Sequence, residues 1–168
     1  GAFLATHPEV SLDVSLNDRV VDLVEEGYDL AVRITRLPDS SLVSRRLAST
    51  RILLCASPQY LAAHGTPRTL ADLTRHQFIG YSYSPSGDTL ELEGPHGMES
   101  INLRPRFHAN NGDTCRAAAL DHQGIVFQPT FLCHQDLASG RLVPILPQYK
   151  QRELGIYAVY PSRKHLSG

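Results

Sequence analysis

Two stretches of this chain pack a strand, a helix and a second strand into so few residues that each pair of strands is expected to run parallel. In the first, Val10, Leu12, Val14 and Leu16 alternate with Ser11, Asp13 and Ser15, the period of a strand with one buried face. Asn17 or Asp18 can cap a following helix. On it Val20, Leu23 and Val24 share one side, while Asp18, Arg19, Asp22, Glu25 and Glu26 share the other. Gly27 suits a left-handed exit, and Leu30, Val32 and Ile34 resume the period of two before a charged loop that runs to Leu47. In the second, Arg106–Ala109 leads through Asn110-Asn111-Gly112-Asp113 into an Ala-rich helix ending near His122. Gly124 follows as its exit, then the strand Ile125–Gln128. Parallel strands joined by a helix imply a right-handed crossover.

The segments between and around these units carry their own signals. Ala2–Thr6 reads as the last turn of a helix, and Arg51–Ala56 as a strand buried on both faces. Ser57-Pro58 starts a helix that Gly65 ends, and Thr69 caps a short one over Leu70–Thr74. Gln77–Tyr81 is a strand followed by the Ser- and Gly-rich loop Ser82–Asp88. Thr89–Glu93 and Met98–Leu103 form a hairpin about Gly94-Pro95-His96-Gly97. Pro129 opens a helix that Gly140 closes. Leu142–Leu146 and Leu154–Tyr160 are further strands, and Pro161–Leu166 begins a last helix.

In open parallel sheets ligands bind beyond the carboxyl ends of the strands. Those ends fall at Asn17–Asp18 and Thr35–Arg36 in the first unit, and at Asn110–Asn111 and Gln128–Thr130 in the second. The second pair precedes helix N-termini, whose free N–H groups and positive dipole ends attract anions. Arg33 lies opposite Val32 and Ile34 on its strand, either as a surface ion pair or as an anion-binding group near the cleft. Tyr81 and Tyr83 can stack on a ligand or serve packing alone.

Composition removes several classes of function. With 168 residues, 42% hydrophobic and 20% charged, the chain is an ordinary globular protein of one domain or two small lobes. No apolar run approaches the roughly 20 residues needed to span a bilayer, and Gly1–Pro8 lacks the basic leader of a signal peptide. A net charge of −1 with scattered basic residues argues against nucleic-acid binding by this chain alone. Arg45-Arg46 and Arg163-Lys164 read as solvated pairs. Three cysteines at long spacings fit reduced, mostly buried thiols of a cytosolic protein better than disulfides.

Chemical motifs are missing too. None of the eight histidines stands in an HxH or HExxH arrangement, so no metal site is expected. No GxSxG elbow accompanies Ser82, Ser84 or Ser86, and neither GxGxxG nor a P-loop occurs. Asp113 reads as a dipole-favoured residue in the first turn of its helix.

The residues from Asp18 to Arg33, DRVVDLVEEGYDLAVR, continued by Asp39-Ser40-Ser41-Leu42-Val43-Ser44-Arg45-Arg46-Leu47, resemble the first lobe of the effector-binding domain of LysR-type transcriptional regulators. Ala56-Ser57-Pro58-Gln59-Tyr60-Leu61, Gly65, Pro67 and Asp72-Leu73 resemble the entry to its second lobe. Asn110-Asn111-Gly112-Asp113, Gly124-Ile125, Pro129 and Leu142-Val143 resemble its later part, and Tyr157-Ala158-Val159-Tyr160-Pro161 the return to lobe I. The resemblance covers nearly the whole chain in the family's order.

It implies an α/β fold of two Rossmann-like lobes joined by a two-segment hinge, resembling type II periplasmic binding proteins. Residues 1–56 would form the first part of lobe I, 57–150 lobe II, and 151–168 the return. A small-molecule effector would sit in the cleft, and the helix starts favour an anionic one. Carried over by position, effector-binding candidates are Asn17 and Thr35 in lobe I and Ser82, Ser84, Asn110, Asn111 and Thr130 in lobe II, with Arg33 added from the strand reading. The resemblance further implies a cytoplasmic homodimer, tetrameric when full length, that is neither enzymatic nor membrane-bound and uses no cofactor. It meets DNA through an N-terminal helix-turn-helix domain.

Against that pattern this sequence lacks the DNA-binding domain, the linker helix, the first strand and the start of the first helix, and is expected to be a truncated domain. Thr89-Leu90 stands where many relatives of this subgroup carry Trp. Two alternatives remain: a free-standing solute-binding protein, which calls for a signal peptide, and a small α/β enzyme, which calls for a convergent acid, base or nucleophile.

Overall fold

The computed structural model describes residues 2–36, 42–151 and 153–161. In chain order its first elements are α1 (Ala2–Thr6), β1 (Ala31–Thr35), β2 (Val43–Thr50), β3 (Ile52–Ala56) and α2 (Pro58–His64). A 3-10 helix (Leu70–Arg75), β4 (Phe78–Tyr81), β5 (Thr89–Gly94), β6 (Gly97–Asn102) and β7 (Phe107–Ala109) follow. The last are α3 (Gly112–Leu120), β8 (Ile125–Pro129), α4 (Thr130–Ala138), β9 (Val143–Pro144) and β10 (Leu154–Tyr160).

Local chemistry explains most boundaries. Ser57 caps α2 by accepting from the Tyr60 N–H at 3.2 Å, with Pro58 at the first helical position. Thr69 and Asp72 cap the 3-10 helix reciprocally, each side chain accepting from the other's backbone N–H. Gly65 and Gly140 leave α2 and α4 with φ of +83° and +73°, a region that favours glycine.

Five strands form one mixed sheet in the order β7-β4-β8-β3-β9. β4 runs parallel to both β7 and β8 and lies between them, so the β7–α3–β8 unit crosses over an interposed strand. The alternating residues of this sheet divide its core into two layers. Leu54, Ala56, Phe78 and Ile125 pack with Tyr60, Leu70, Leu73, Leu90 and Leu92, beneath α2, the 3-10 helix and the β5–β6 hairpin. Cys55, Ile79 and Val126 face the other way, against Cys115 and Ala119 of α3 and Cys133 of α4. All three cysteines are free and buried, as their spacing predicted. Burial pushes the Cys115 thiol up, and the hydrogen bond shared with Cys133, then burial, does the same for Cys55.

The first strand–helix–strand unit does not form. Residues 10–16 adopt no strand, and β1 pairs antiparallel with β10 in a three-stranded sheet of order β1-β10-β2. Alternation makes a strand only where a partner supplies ladder hydrogen bonds and a surface covers the apolar face. Neither is met here, since Leu12, Val14 and Leu16 are 58%, 71% and 94% exposed.

Turns replace the helix expected after Asn17. Asn17 Oδ1 accepts from the Arg19 N–H at 2.8 Å, and Asp22 Oδ1 accepts from those of Val24 and Glu25 at 2.9 and 3.1 Å. Such side-chain acceptors compete with helical pairing. Leu23 is buried, whereas Val20 and Val24 remain exposed.

Other boundaries move as well. The charged loop expected up to Leu47 is instead β2 from Val43 onward, paired with β10. β3 lies in the five-stranded sheet with β8 and β9. Sheet membership therefore changes at Arg51. The strand Leu142–Leu146 shrinks to β9. Asp39-Ser40-Ser41, Arg163-Lys164 and the last helix beyond Pro161 lie outside the described residues.

Candidate functional site

The parallel strands β4, β7 and β8 end at Tyr81, Ala109 and Pro129 on one edge of the five-stranded sheet. Asn110-Asn111-Gly112 leaves β7 there and starts the nine-residue α3. Asn111 Oδ1 caps that helix, accepting from the Thr114 N–H at 3.0 Å and Oγ1 at 3.2 Å. A Cβ on Gly112 next to it would lie 2.7 Å from Leu132 Cδ1, so a side chain there requires the end of Leu132 to move. Buried Gln128 donates from Nε2 to the Gly112 carbonyl at 3.3 Å, which locks the helix start onto β8.

A carboxylate sits on this edge. Asp18 Oδ2 accepts from the Gly112 N–H at 2.9 Å and from the Tyr81 hydroxyl at 3.2 Å. Burial, followed by the adjacent Asp18 charge, pushes the Tyr81 phenol well above its ordinary range, so it remains a donor. The N-terminal segment thus reaches the second sheet through one acidic side chain.

The candidates from sequence group around this contact to different degrees. Ser82 is exposed and its N–H donates to the Ala109 carbonyl at 2.9 Å, beside exposed Asn110; the half-buried Ser84 turns back onto the Tyr81 carbonyl at 3.0 Å. Thr130 opens α4, its Oγ1 3.3 Å from Thr50 Oγ1 at the end of β2 and its N–H donating to the Arg51 carbonyl. Ser82, Ser84, Asn110, Asn111 and Thr130 therefore share one sheet edge, and Asn17 adjoins Asp18 in an exposed turn. Arg33 is not joined to this group: its Nη2 donates to the Val21 carbonyl at 2.6 Å. Thr35 stands opposite Gly155 in the β1–β10 ladder.

Sequence reasoning placed Asp18 and Gln128 at ligand-facing strand ends but named neither as a site residue. Asp18 followed Asn17 before an apparent helix, where either could serve as the cap. Gln128 did carry a signal, since an amide at the end of Ile125-Val126-Phe127 needs a partner if buried.

Among the described residues no group of three or more His, Cys, Asp or Glu could hold a metal ion. A cavity of about 380 Å³ lies elsewhere, at the start of α2, lined by Ser57, Gln59, Leu120, His122 and Arg141. There His122 Nδ1 is 2.8 Å from Ser57 Oγ. That oxygen is buried and already caps α2, so the pair is a helix cap and not an exposed nucleophile with its base.

The family model for the LysR substrate binding domain matches residues 1–168. The chain belongs to that family. This LysR substrate-binding domain is 37% identical to an uncharacterized HTH-type transcriptional regulator of Haemophilus influenzae, over 98% of this chain and 57% of that protein. It is 35% identical to the HTH-type transcriptional regulator DmlR of Escherichia coli, over 96% of this chain and 53% of that one. The domain thus spans just over half the length of these curated relatives.

The regulatory domain of CrgA from Neisseria meningitidis superposes with a TM-score of 0.85 at 33% identity, over 99% of this chain and 81% of that one. The Vibrio cholerae virulence activator AphB gives a TM-score of 0.83 at 28% identity, over 98% and 56%. The LysR substrate-binding domain has the two-lobed α/β fold related to type II periplasmic binding proteins, as expected from sequence. Among the described residues no helix is long and apolar enough to cross a membrane.

Proposed function

We propose that this LysR substrate-binding domain senses a small, anionic metabolite between its lobes, as the regulatory part of a cytoplasmic bacterial transcription regulator. Lobe I comprises the three-stranded sheet with the N-terminal segment, and lobe II the five-stranded sheet with its helices and hairpin. The observation that carries this reading is the Asp18 contact. A backbone N–H at the start of α3 and the Tyr81 hydroxyl together hold a carboxylate where the two lobes meet, which is the chemistry an organic acid would need.

Asn17, Arg33, Thr35, Ser82, Ser84, Asn110, Asn111 and Thr130 are the proposed effector-contacting set. Thr130 favours this reading most among them, since its hydroxyl already bridges the lobes through Thr50. No catalytic step is assigned to any of them. Ligand would bias lobe and subunit arrangement only by preferring one arrangement over another. The output reaches DNA through a helix-turn-helix domain elsewhere in the regulator, acting as a dimer or tetramer.

A thermal-shift screen of aromatic acids, amino acids and lactones tests the proposal. Saturable stabilisation without consumption is expected, and turnover of the stabilising compound would refute a sensor. Asn111→Ala and Thr130→Val should each weaken a verified effector by about tenfold, the value of one lost hydrogen bond to a charged group, with the fold intact. Wild-type affinity in both variants would remove this edge from the site.

A further inference from the structure

We infer that Asp18 is a built-in competitor of an acidic effector: its carboxylate occupies the acid's position at Gly112 and Tyr81 and must leave before the effector binds. The inference rests on the sensing role proposed above and adds its regulation.

Three observations carry it. First, a single oxygen, Oδ2, takes both donors, the Gly112 N–H at 2.9 Å and the Tyr81 hydroxyl at 3.2 Å. These partners stand 94 and 63 residues away in sequence, so the contact joins the N-terminal segment to lobe II and is not a local cap. Second, the segment that carries Asp18 is lightly held. Val14 and Leu16 before it are 71% and 94% exposed, and Val20 after it is 77% exposed. The firm holds begin at Val21, whose carbonyl accepts from Arg33, and at buried Leu23. Withdrawal of Asp18 by rotation ahead of Val21 therefore gives up the partly exposed Arg19–Glu26 ion pair and uncovers no core residue. Third, the donors are fixed independently of Asp18. The Asn111 cap and the Gln128 hydrogen bond hold the start of α3, so the position persists when Asp18 leaves.

Exchange of one carboxylate for another leaves both donors satisfied and conserves the charge at the helix start. A neutral amide or alcohol would replace a charged acceptor with a weaker one. Asp18 thus lowers the apparent affinity of every cleft ligand by the fraction of molecules whose cleft is free, and neutral ligands, which gain less from the two donors, fall below that threshold first. The device sets a threshold and selects for acids.

The test uses 15N-labelled chain titrated with benzoate, and with benzamide as its neutral counterpart, for wild type, Asp18→Asn and Asp18→Ala. Benzoate should bind Asp18→Ala about tenfold more tightly than wild type, with Asp18→Asn between them, and should move the Gly112 amide resonance saturably. Benzamide should bind all three proteins more weakly than benzoate and gain by a similar factor when Asp18 is removed. Unchanged amide positions for Leu73 and Ile125 establish that the variants fold alike.

Equal benzoate affinity in all three proteins, a Gly112 amide that stays still, or no binding to Asp18→Ala would each overturn the competition. If benzoate moves the Asn111 and Thr130 amides equally in all three, the competition fails while cleft sensing stands. If the thermal-shift screen also finds no compound that any of the three binds, sensing fails with it.

Discussion

Asp136 lies fully buried in α4 between two guanidinium groups, and Asp136→Asn removes its charge while nearly keeping its shape. Its Oδ2 accepts from Arg116 Nε at 2.5 Å, which ties α4 to α3. Arg141 Nη2 lies 2.5 Å from Oδ1 as a second ion pair. The Arg116 hydrogen bond, with further attraction from both arginines, holds the carboxyl below its ordinary range. Breaking a buried pair costs about 3–5 kcal/mol when the orphaned charge stays buried. Here the orphans are Arg116 and Arg141, whose side chains are 24% and 58% exposed, so water recovers part of the loss. A cost of about 2–3 kcal/mol follows, or a fall in Tm of about 5–10 °C for a domain of this size.

The pH dependence has a definite sign. Because the folded carboxyl titrates below the unfolded one, its stabilisation is complete above the ordinary Asp pKa, near pH 4. It is lost as pH falls through the folded value. Urea denaturation followed by circular dichroism from pH 7 to pH 3 should therefore show a constant gap between wild type and Asp136→Asn that narrows only at the acid end. A gap under about 0.5 kcal/mol at pH 7, the range of ordinary surface substitutions, would refute the energetic argument. A gap that widens on acidification would refute the assigned direction of the shift.

Three further substitutions check the packing. Leu73→Ala, in the layer beneath the 3-10 helix, should cost about 3 kcal/mol by urea denaturation, whereas Leu16→Ala, 94% exposed, should stay within about 0.5 kcal/mol. A cost above about 1 kcal/mol at Leu16 would show that residues 10–16 are packed after all. Gly124→Ala would place a Cβ 2.5 Å from the Gln77 carbonyl at a φ of +155°, where that oxygen accepts the Ile125 N–H at 2.9 Å. A loss of about 2–3 kcal/mol is expected in the same assay, and a stability equal to wild type would contradict the close approach.

Much of the second sheet was legible because its elements carry their own boundary signals. Ser57 before Pro58, Thr69 with Asp72, and Asn111 before Gly112 each cap a helix through partners within three residues, and such bonds form whatever the rest of the chain does. The hairpin of β5 and β6 likewise follows from alternation about a short turn. Alternation failed at residues 10–16 for the complementary reason: a strand needs a partner, and pattern does not supply one.

The sequence by itself determined the local elements of the second sheet, the family and its two-lobed fold, and the polar residues at the ends of β4, β7 and β8. Their causes lie within a few residues, or in an order of motifs preserved along the whole chain. Tertiary structure alone decided that β4 inserts between β7 and β8, that β3 joins the second sheet, and that residues 10–16 run as exposed chain. It also decided that Asp18, one of two candidate helix caps in the sequence, would meet Gly112 across 94 residues. Such contacts depend on which distant donor is left free at the right place, and no spacing along the chain records that.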